Sequence, residues 1–185
     1  IVNPVYNPAV RSYLNTYIYR RPEHTAMMLG WAAVYFPMFE KALADEGLPT
    51  DLKYLSIVES ALNPAAISRS GAGGLWQFMK PTARECGLKI SSYVDERMDP
   101  DKSTKAAVHY LKQLYAMFGN WELVMAAYNA GPGRVRAAVK RAGSSDYWKI
   151  ARFLPEETRS YVPGFIAASY LMNFHDAHNI IPVYP

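Results

Sequence analysis

The chain has 185 residues, of which 50% are apolar and 19% are charged, with a net charge of +4. This composition favours one soluble domain, or one domain with an extension, that is long enough to bury a core. No apolar run is as long as a membrane span, which needs about 18 to 20 residues. The start IVNPVYNP lacks the pattern of a signal peptide. Cys86 is the single cysteine, so an internal disulfide is excluded.

Capping residues and prolines divide the beginning of the chain into two predicted helices. Asn7 and Pro8 are a suitable cap and first helical residue, and apolar residues at helical spacing extend this helix to about Tyr19. A second apolar helix follows Pro22. Pro37 predicts a kink or a restart within it, because proline removes a backbone donor from the helix interior.

The next helix is predicted to end just before a glycine-rich segment. The stretch PMFEKALADEG stops at Gly47, and LPTDLKYLSIVESAL starts another helix with Thr50 or Asp51 as its cap. Pro64 cannot continue that helix. Residues 64–78, called the lip below, carry Ser, Gly and Ala without a helical stripe and predict a loop or a short hairpin.

The rest of the chain is predicted to be helical. Five further helix starts are indicated by a cap or a proline: Pro81, Asp99-Pro100, Asn120, Pro132 and Pro155. Gly119 and Gly143 are predicted helix stops, and Pro163 predicts an interruption of the last helix. The expected fold is therefore all-α, with one irregular glycine-rich lip.

Glu59 is the residue that most directly indicates chemistry. It follows an apolar run, and residues 60–84 contain no Asp or Glu. Apolar surroundings favour the neutral form of a carboxyl group and raise its pKa, which suits a proton donor to a glycosidic oxygen. Position alone favours an ordinary surface glutamate. The lip changes that balance, because SGAGG lets backbone approach a ligand and because Trp76 and Gln77 offer a ring and an amide for a sugar.

The acid-free lip also bears on the type of reaction. Most glycosidases use two carboxylates at set separations, and the lip cannot supply the second one. Glu59 is therefore expected to act alone, first as acid and then as base, with a hydroxyl of the substrate as one candidate nucleophile. Glu157 or Asp95 could still supply a second carboxylate from another element of the fold. A hydrolytic, lysozyme-type muramidase therefore stays open as an alternative.

The motif ES…NP…S…GAGGLWQFM, followed by AYNAG, resembles family 1 lytic transglycosylases (SLT domain), lysozyme-like enzymes that cut peptidoglycan. The stretches YLSIVESALNP and LPEETRSYVPGFIAA are similar to the membrane-bound lytic murein transglycosylase D group. The resemblance covers roughly residues 45–175. It implies a lysozyme-like fold with a catalytic domain over 46–185 and an N-terminal helical extension over 1–45 packed on the core.

The resemblance implies a role for seven residues. Glu59 matches the catalytic acid and base, which would leave a 1,6-anhydro product without using water. Tyr128 in AYNAG would place its hydroxyl near the acid. Apart from the resemblance, the missing side chains of Gly73 and Gly74 are expected to let the backbone of the lip pass close to the sugar. The implied substrate-binding residues are Ser68, Gln77, Met79, Tyr128, Asn129 and Glu157.

The expected partners and location also follow from the resemblance. Peptidoglycan glycan strands are the implied partner, at the periplasm or outer membrane of a bacterium, with any membrane anchor outside this chain. We expect a monomer with no cofactor, no metal ion and no nucleic acid partner. The alternative of a peptidoglycan-binding module without catalysis is disfavoured, because such a module does not need an acid in an apolar pocket.

Overall fold

The computed structural model describes residues 1–185, which form helices joined by short turns. The nine α-helices are α1 (Pro8–Asn15), α2 (Pro22–Asp45), α3 (Leu55–Ser60), α4 (Lys80–Glu85), α5 (Pro100–Phe118), α6 (Trp121–Ala130), α7 (Pro132–Ala142), α8 (Tyr147–Ile150) and α9 (Glu156–Phe174). Extended backbone is limited to three isolated antiparallel bridges. The predicted all-α fold is confirmed, and no helix is long and apolar enough to cross a membrane.

Most predicted helix boundaries are confirmed by their local hydrogen bonds. The side-chain oxygens of Asn7, Asp99 and Asn120 each accept a hydrogen bond from the backbone amide three residues later. Each bond satisfies one of the amides left free at a helix start. Gly119 and Gly143 adopt the left-handed conformation directly after α5 and α7, where a glycine ends a helix without steric cost.

The predictions of a restart at Pro37 and of an interruption at Pro163 were wrong. Helix α2 continues through Pro37 without a restart, and α9 continues through Pro163 without an interruption. Proline costs each helix one hydrogen bond, but tertiary packing supplies most helical stability in a folded protein. Pro163 is itself buried beside Val162, so the core holds the helix together at this point.

The predicted cap at Thr50 or Asp51 was also wrong. These residues belong to a short 3₁₀ helix, Thr50–Tyr54, that leads directly into α3. Pro49 occupies the cap position of this 3₁₀ helix and makes no side-chain cap hydrogen bond. Helix α3 is consequently only six residues long, and Glu59 lies in its last turn.

A single hydrophobic core joins residues from both sides of the expected boundary at residue 45. Met28, Leu29, Phe39 and Leu43 of α2 are buried in the same cluster as the apolar residues of α5, α6 and α9. Helix α1 packs against α9. The division into an extension over 1–45 and a catalytic domain over 46–185 stays a prediction, since this packing is common to both segments.

The lip forms a minimal hairpin. Gly73 makes antiparallel bridges with Ile67 on one side and with Phe78 on the other, which confirms the predicted loop or short hairpin. Within the lip, Trp76 is fully buried and its ring packs on Phe39 of α2. One face of the lip therefore belongs to the core, and the other is free to border a cavity.

Arg97 clamps the two ends of the hairpin together. Its side chain is only 2% exposed, and Nη1 donates hydrogen bonds to the carbonyls of Gly71 at 2.7 Å and Phe78 at 2.9 Å. Asp95 balances its charge, with an Nη2 to Oδ2 distance of 2.7 Å. A buried guanidinium group is costly when it lacks such partners. Any movement of the lip that breaks these hydrogen bonds is therefore unfavourable, so the clamp holds the lip in one conformation.

Gly73 and Gly74 of the lip leave room for Arg97 and its neighbour Met98. A Cβ atom added to Gly74 would lie 1.9 Å from the carbonyl oxygen of Arg97, and one added to Gly73 would lie 2.7 Å from the side chain of Met98. The space that their missing side chains leave is thus filled by Arg97 and Met98, and the expected approach of the lip backbone to a sugar stays a prediction. Their missing side chains let the lip lie directly on Arg97 and Met98.

Replacing Gly74 by Ala should strongly destabilise the fold. The φ angle of Gly74 is +82°, and the Cβ atom would clash with backbone that cannot move aside. We expect the free energy of unfolding in urea to fall by about 2 to 4 kcal/mol, as for other substitutions that combine overpacking with a strained backbone. Gly133→Ala is the matched control, since nothing lies within 4 Å of its Cβ position. An equal loss in both variants would contradict the clamp.

Candidate functional site

A cavity of about 480 Å³ lies between the lip and helices α3, α6 and α9. All seven residues that the sequence predicted for the site line it: Glu59, Ser68, Gln77, Met79, Tyr128, Asn129 and Glu157. A larger cavity, of about 580 Å³, lies between the first 19 residues and the C-terminal half of α9 and contains none of them. The smaller cavity is therefore the candidate site.

Glu59 is held at this cavity by contacts on both sides. Tyr161 of α9 donates a hydrogen bond from its hydroxyl to Glu59 Oε1 at 2.7 Å. On the same short helix, Ser56 and Ser60 donate to the carbonyl of Leu75 in the lip, at 2.8 and 2.9 Å. These two bonds fix α3 to the lip, so the carboxyl group has a defined position relative to both walls.

Burial raises the pKa of Glu59 from 4.5 to about 8. The hydrogen bond from Tyr161 opposes this shift because it favours the charged carboxylate, and the negative charge of Glu157 adds to it. The raised pKa expected from the apolar sequence around Glu59 is thus confirmed. At neutral pH the group is mostly protonated and is able to donate a proton.

Tyr161 is the residue in contact with Glu59 that sequence reasoning missed. The hydroxyl expected near the acid was that of Tyr128, but this hydroxyl donates to the carbonyl of Trp76 at 2.6 Å. Tyr128 therefore fixes the lip, while its ring borders the cavity. A signal for Tyr161 was present, since Glu157 and Tyr161 are four residues apart in EETRSYV and share one face of a helix.

Two further residues of the lip serve its structure. The side-chain nitrogen of Gln77, which has a positive φ of 50°, donates to the carbonyls of Ala66 at 3.1 Å and Gly74 at 2.9 Å. The indole of Trp76 is 0% exposed and donates to Thr104 Oγ1 at 2.9 Å. The expectation that Trp76 offers its ring to a sugar was wrong, because that ring lies in the core.

Asn129 and Glu157 form a polar pair at the α6 and α9 side of the cavity. Asn129 donates from Nδ2 to Glu157 Oε1 at 3.3 Å and accepts at Oδ1 from the hydroxyl of Thr158 at 2.8 Å. Glu157 is thus the one carboxylate besides Glu59 that lines the cavity. Asp95, the other acid considered, is paired with Arg97 away from it.

Ser68 and Met79 lie where the lip borders the cavity. The Ser68 hydroxyl oxygen accepts from the amide of Ala72 at 3.0 Å and lies 3.0 Å from Ser70 Oγ. Met79 is 43% exposed and adds an apolar surface. The substrate contacts predicted for both residues stay predictions, as do those of Gln77, Tyr128, Asn129 and Glu157.

Removing the hydroxyl of Tyr161 should raise the pKa of Glu59 further. Tyr161→Phe keeps the ring but deletes the hydrogen bond that favours the carboxylate. Titration of the Glu59 carboxyl carbon by NMR should therefore show a midpoint at higher pH than in the wild type. Tyr128→Phe is the control, because its hydroxyl bonds to a backbone carbonyl of the lip. A midpoint that stays in place or falls in Tyr161→Phe would contradict this assignment.

Comparisons with known proteins show what this chain is similar to. Membrane-bound lytic murein transglycosylase D of Escherichia coli (strain K12) is 43% identical over 130 residues, which are 68% of this chain and 28% of that protein. Soluble lytic murein transglycosylase of the same strain is 34% identical over 141 residues, 72% of this chain and 22% of that protein. The crystal structure of the 70 kDa soluble lytic transglycosylase from Escherichia coli superposes with a TM-score of 0.66 at 29% identity, covering 80% of this chain and 26% of that one.

The chain spans 28% or less of the length of these curated relatives. Glu59, the lip and helices α5 to α7 all lie within the residues that a family model matches. The family model described as "Transglycosylase SLT domain" matches residues 36–151, well over half of the chain. With a structural likeness that extends over most of its length as well, the chain belongs to the family of transglycosylase SLT domains.

Proposed function

We propose that this chain is the catalytic domain of a lytic transglycosylase that cleaves peptidoglycan strands between N-acetylmuramic acid and N-acetylglucosamine. The observation that carries the proposal is one desolvated carboxyl group in the cavity, that of Glu59, which is mostly protonated at neutral pH and lies beside a lip without carboxylates. The names of the relatives support murein as the substrate.

The first step of the reaction needs the protonated form of Glu59. Its proton passes to the glycosidic oxygen as the bond from that oxygen to C1 of the muramoyl residue breaks, so the leaving sugar departs as a neutral alcohol. Glu59 is left as a carboxylate. The hydroxyl of Tyr161 already donates to Oε1 and stabilises that charge.

In the second step the same residue acts as a base. The C6 hydroxyl of the muramoyl residue attacks C1, and its proton passes to the carboxylate of Glu59. A bond from O6 to C1 forms, the 1,6-anhydro end results, and Glu59 is protonated again. No water is consumed, so one carboxyl group suffices for the complete reaction.

The remaining lining residues are proposed to hold the glycan strand. Ser68 and Gln77 would contact it from the lip, Met79 from the residue directly after the lip, and Tyr128, Asn129 and Glu157 from the helical wall. Polar groups that are already hydrogen-bonded to the protein lose little rotational freedom on binding, which supports a preorganised cleft.

We further propose that the chain acts as a monomer on peptidoglycan at the periplasm or outer membrane of a bacterium. One relative is named as membrane-bound and another as soluble. Any anchor that ties this domain to a membrane would lie outside the chain described here.

The test of the proposed function is the mass of the muropeptides released from purified sacculi. Transglycosylation predicts anhydro ends, which are lighter by one water than hydrolysed ends. The second candidate is a hydrolytic muramidase, which the position of Glu157 in the same cavity favours. Release of mostly hydrated, reducing muramoyl ends would overturn the transglycosylase proposal, and release of no muropeptides would favour a binding module.

A further inference from the structure

Helix α1 contributes a residue to the candidate site, although it lies outside the residues that the family model matches. Tyr13 of α1 lines the cavity together with Glu59, Glu157 and Tyr161, whereas the matched region begins at residue 36. The N-terminal segment is therefore part of the wall of the cavity in addition to packing on the core.

The position of Tyr13 depends on a glycine of α9. A Cβ atom added to Gly164 would lie 3.2 Å from the Cζ atom of Tyr13 and 3.4 Å from its hydroxyl oxygen, and also 3.4 Å from Val58 beside the acid. The ring of Tyr13 thus lies directly on the backbone of α9. This contact fixes the direction in which the hydroxyl points.

The hydroxyl of Tyr13 differs from those of the two tyrosines nearest Glu59. Tyr128 and Tyr161 donate to Trp76 and Glu59, whereas the hydroxyl of Tyr13 has no hydrogen-bond partner in the protein. No buried side-chain oxygen or nitrogen lacks a partner. The hydroxyl of the half-buried Tyr13 is therefore open to the cavity, where it is available to a ligand.

Glu157 lines the same cavity as this donor. Burial, with a contribution from the charge of Glu157, raises the pKa of Tyr13 above its usual value, so the hydroxyl stays protonated and acts as a donor. Glu157 is oriented by the amide of Asn129 and keeps a second carboxylate oxygen for other partners. A hydroxyl that faces the cavity without a partner matches a hydrogen-bond acceptor of a ligand, such as the carbonyl oxygen of an amide.

We infer that Tyr13 lines a subsite of the cavity at which its hydroxyl donates a hydrogen bond to the carbonyl oxygen of an amide of the substrate. This inference rests on the proposed function and assigns to α1 a part in substrate recognition. In peptidoglycan the amide has two sources, the acetamido group of a sugar and the stem peptide. Tyr13 is a specificity-determining residue here and takes no part in proton transfer.

The experiment measures the Kd of uncleaved strands in the Glu59→Gln background, with and without Tyr13→Phe. The substitution keeps the ring on Gly164 and deletes only the hydroxyl, so thermal stability should stay the same. Loss of one hydrogen bond predicts a Kd weaker by about threefold to tenfold. Tyr17→Phe is the matched control, because Tyr17 follows one turn later and lines neither cavity.

Two substrates separate the sources of the amide. Weaker binding of both stem-bearing strands and strands stripped of peptide would assign the acetamido group, and weaker binding of stem-bearing strands alone would assign the stem peptide. An unchanged Kd on both substrates, or the same weakening in Tyr17→Phe, would overturn the inference. Strands that bind as expected but are not cleaved by the wild type would overturn the proposed function and leave the subsite standing.

Discussion

Glu59→Gln should lower the turnover of peptidoglycan by at least ~10²-fold, the low end of what general acid catalysis contributes. The amide has nearly the shape of the protonated acid but cannot give up a proton, and the same residue is needed again as a base. The loss should therefore exceed that of an enzyme in which two residues share these roles. Release of soluble muropeptides from sacculi measures the effect.

The control for this prediction is Glu156→Gln. Glu156 is an exposed carboxylate in the first turn of α9 and does not line the cavity, although it adjoins Glu157. Its replacement should leave turnover close to that of the wild type. Binding of Glu59→Gln to sacculi should persist, and near-normal turnover by this variant would place the catalytic acid elsewhere.

The second large effect expected for Glu59 is on stability. The pKa is about 8 in the folded protein and 4.5 for a free glutamate. Between these values the folded state keeps a proton that the unfolded state has lost, so unfolding becomes easier as the pH rises. The contribution of Glu59 is thus fully present below about pH 4.5, is lost progressively towards pH 8, and stays lost above it.

Glu59→Gln removes this pH dependence, because glutamine never becomes charged. Its stability should match that of the wild type near pH 4.5 and exceed it at pH 9, with an upper limit on the order of 5 kcal/mol at about 1.4 kcal/mol per pKa unit. Urea unfolding of both proteins across this range measures the difference. A difference that does not change with pH would show that the carboxyl group is not desolvated in the folded state.

Site residues could be predicted where neighbouring residues in the sequence indicate them. Glu59 stands out because its apolar neighbours and the absence of acids over 60–84 can be read directly from the chain. Tyr161 does not stand out in this way, because its contact with Glu59 joins residues 102 positions apart. Only the packing of α3 against α9 brings them together.

The lip shows why proximity in sequence does not decide which way a residue faces. Trp76 and Gln77 are adjacent, yet the ring of Trp76 lies in the core while Gln77 borders the cavity. Gly74 likewise faces Arg97, a residue 23 positions away whose clamp on the lip no local pattern indicates. The helix boundaries at Asp99 and Asn120 were predicted correctly because a cap and its amide are only three residues apart.

Digestion of sacculi in water labelled with heavy oxygen tests most directly whether Glu59 works without water. Attack by the C6 hydroxyl predicts anhydro muropeptides that contain no label, since both oxygens at the reacting carbon come from the substrate. Hydrolysis assisted by Glu157 would instead add one labelled oxygen to each new muramoyl end. Unlabelled anhydro ends would support a single carboxyl group acting as acid and base, and labelled reducing ends as the main product would contradict it.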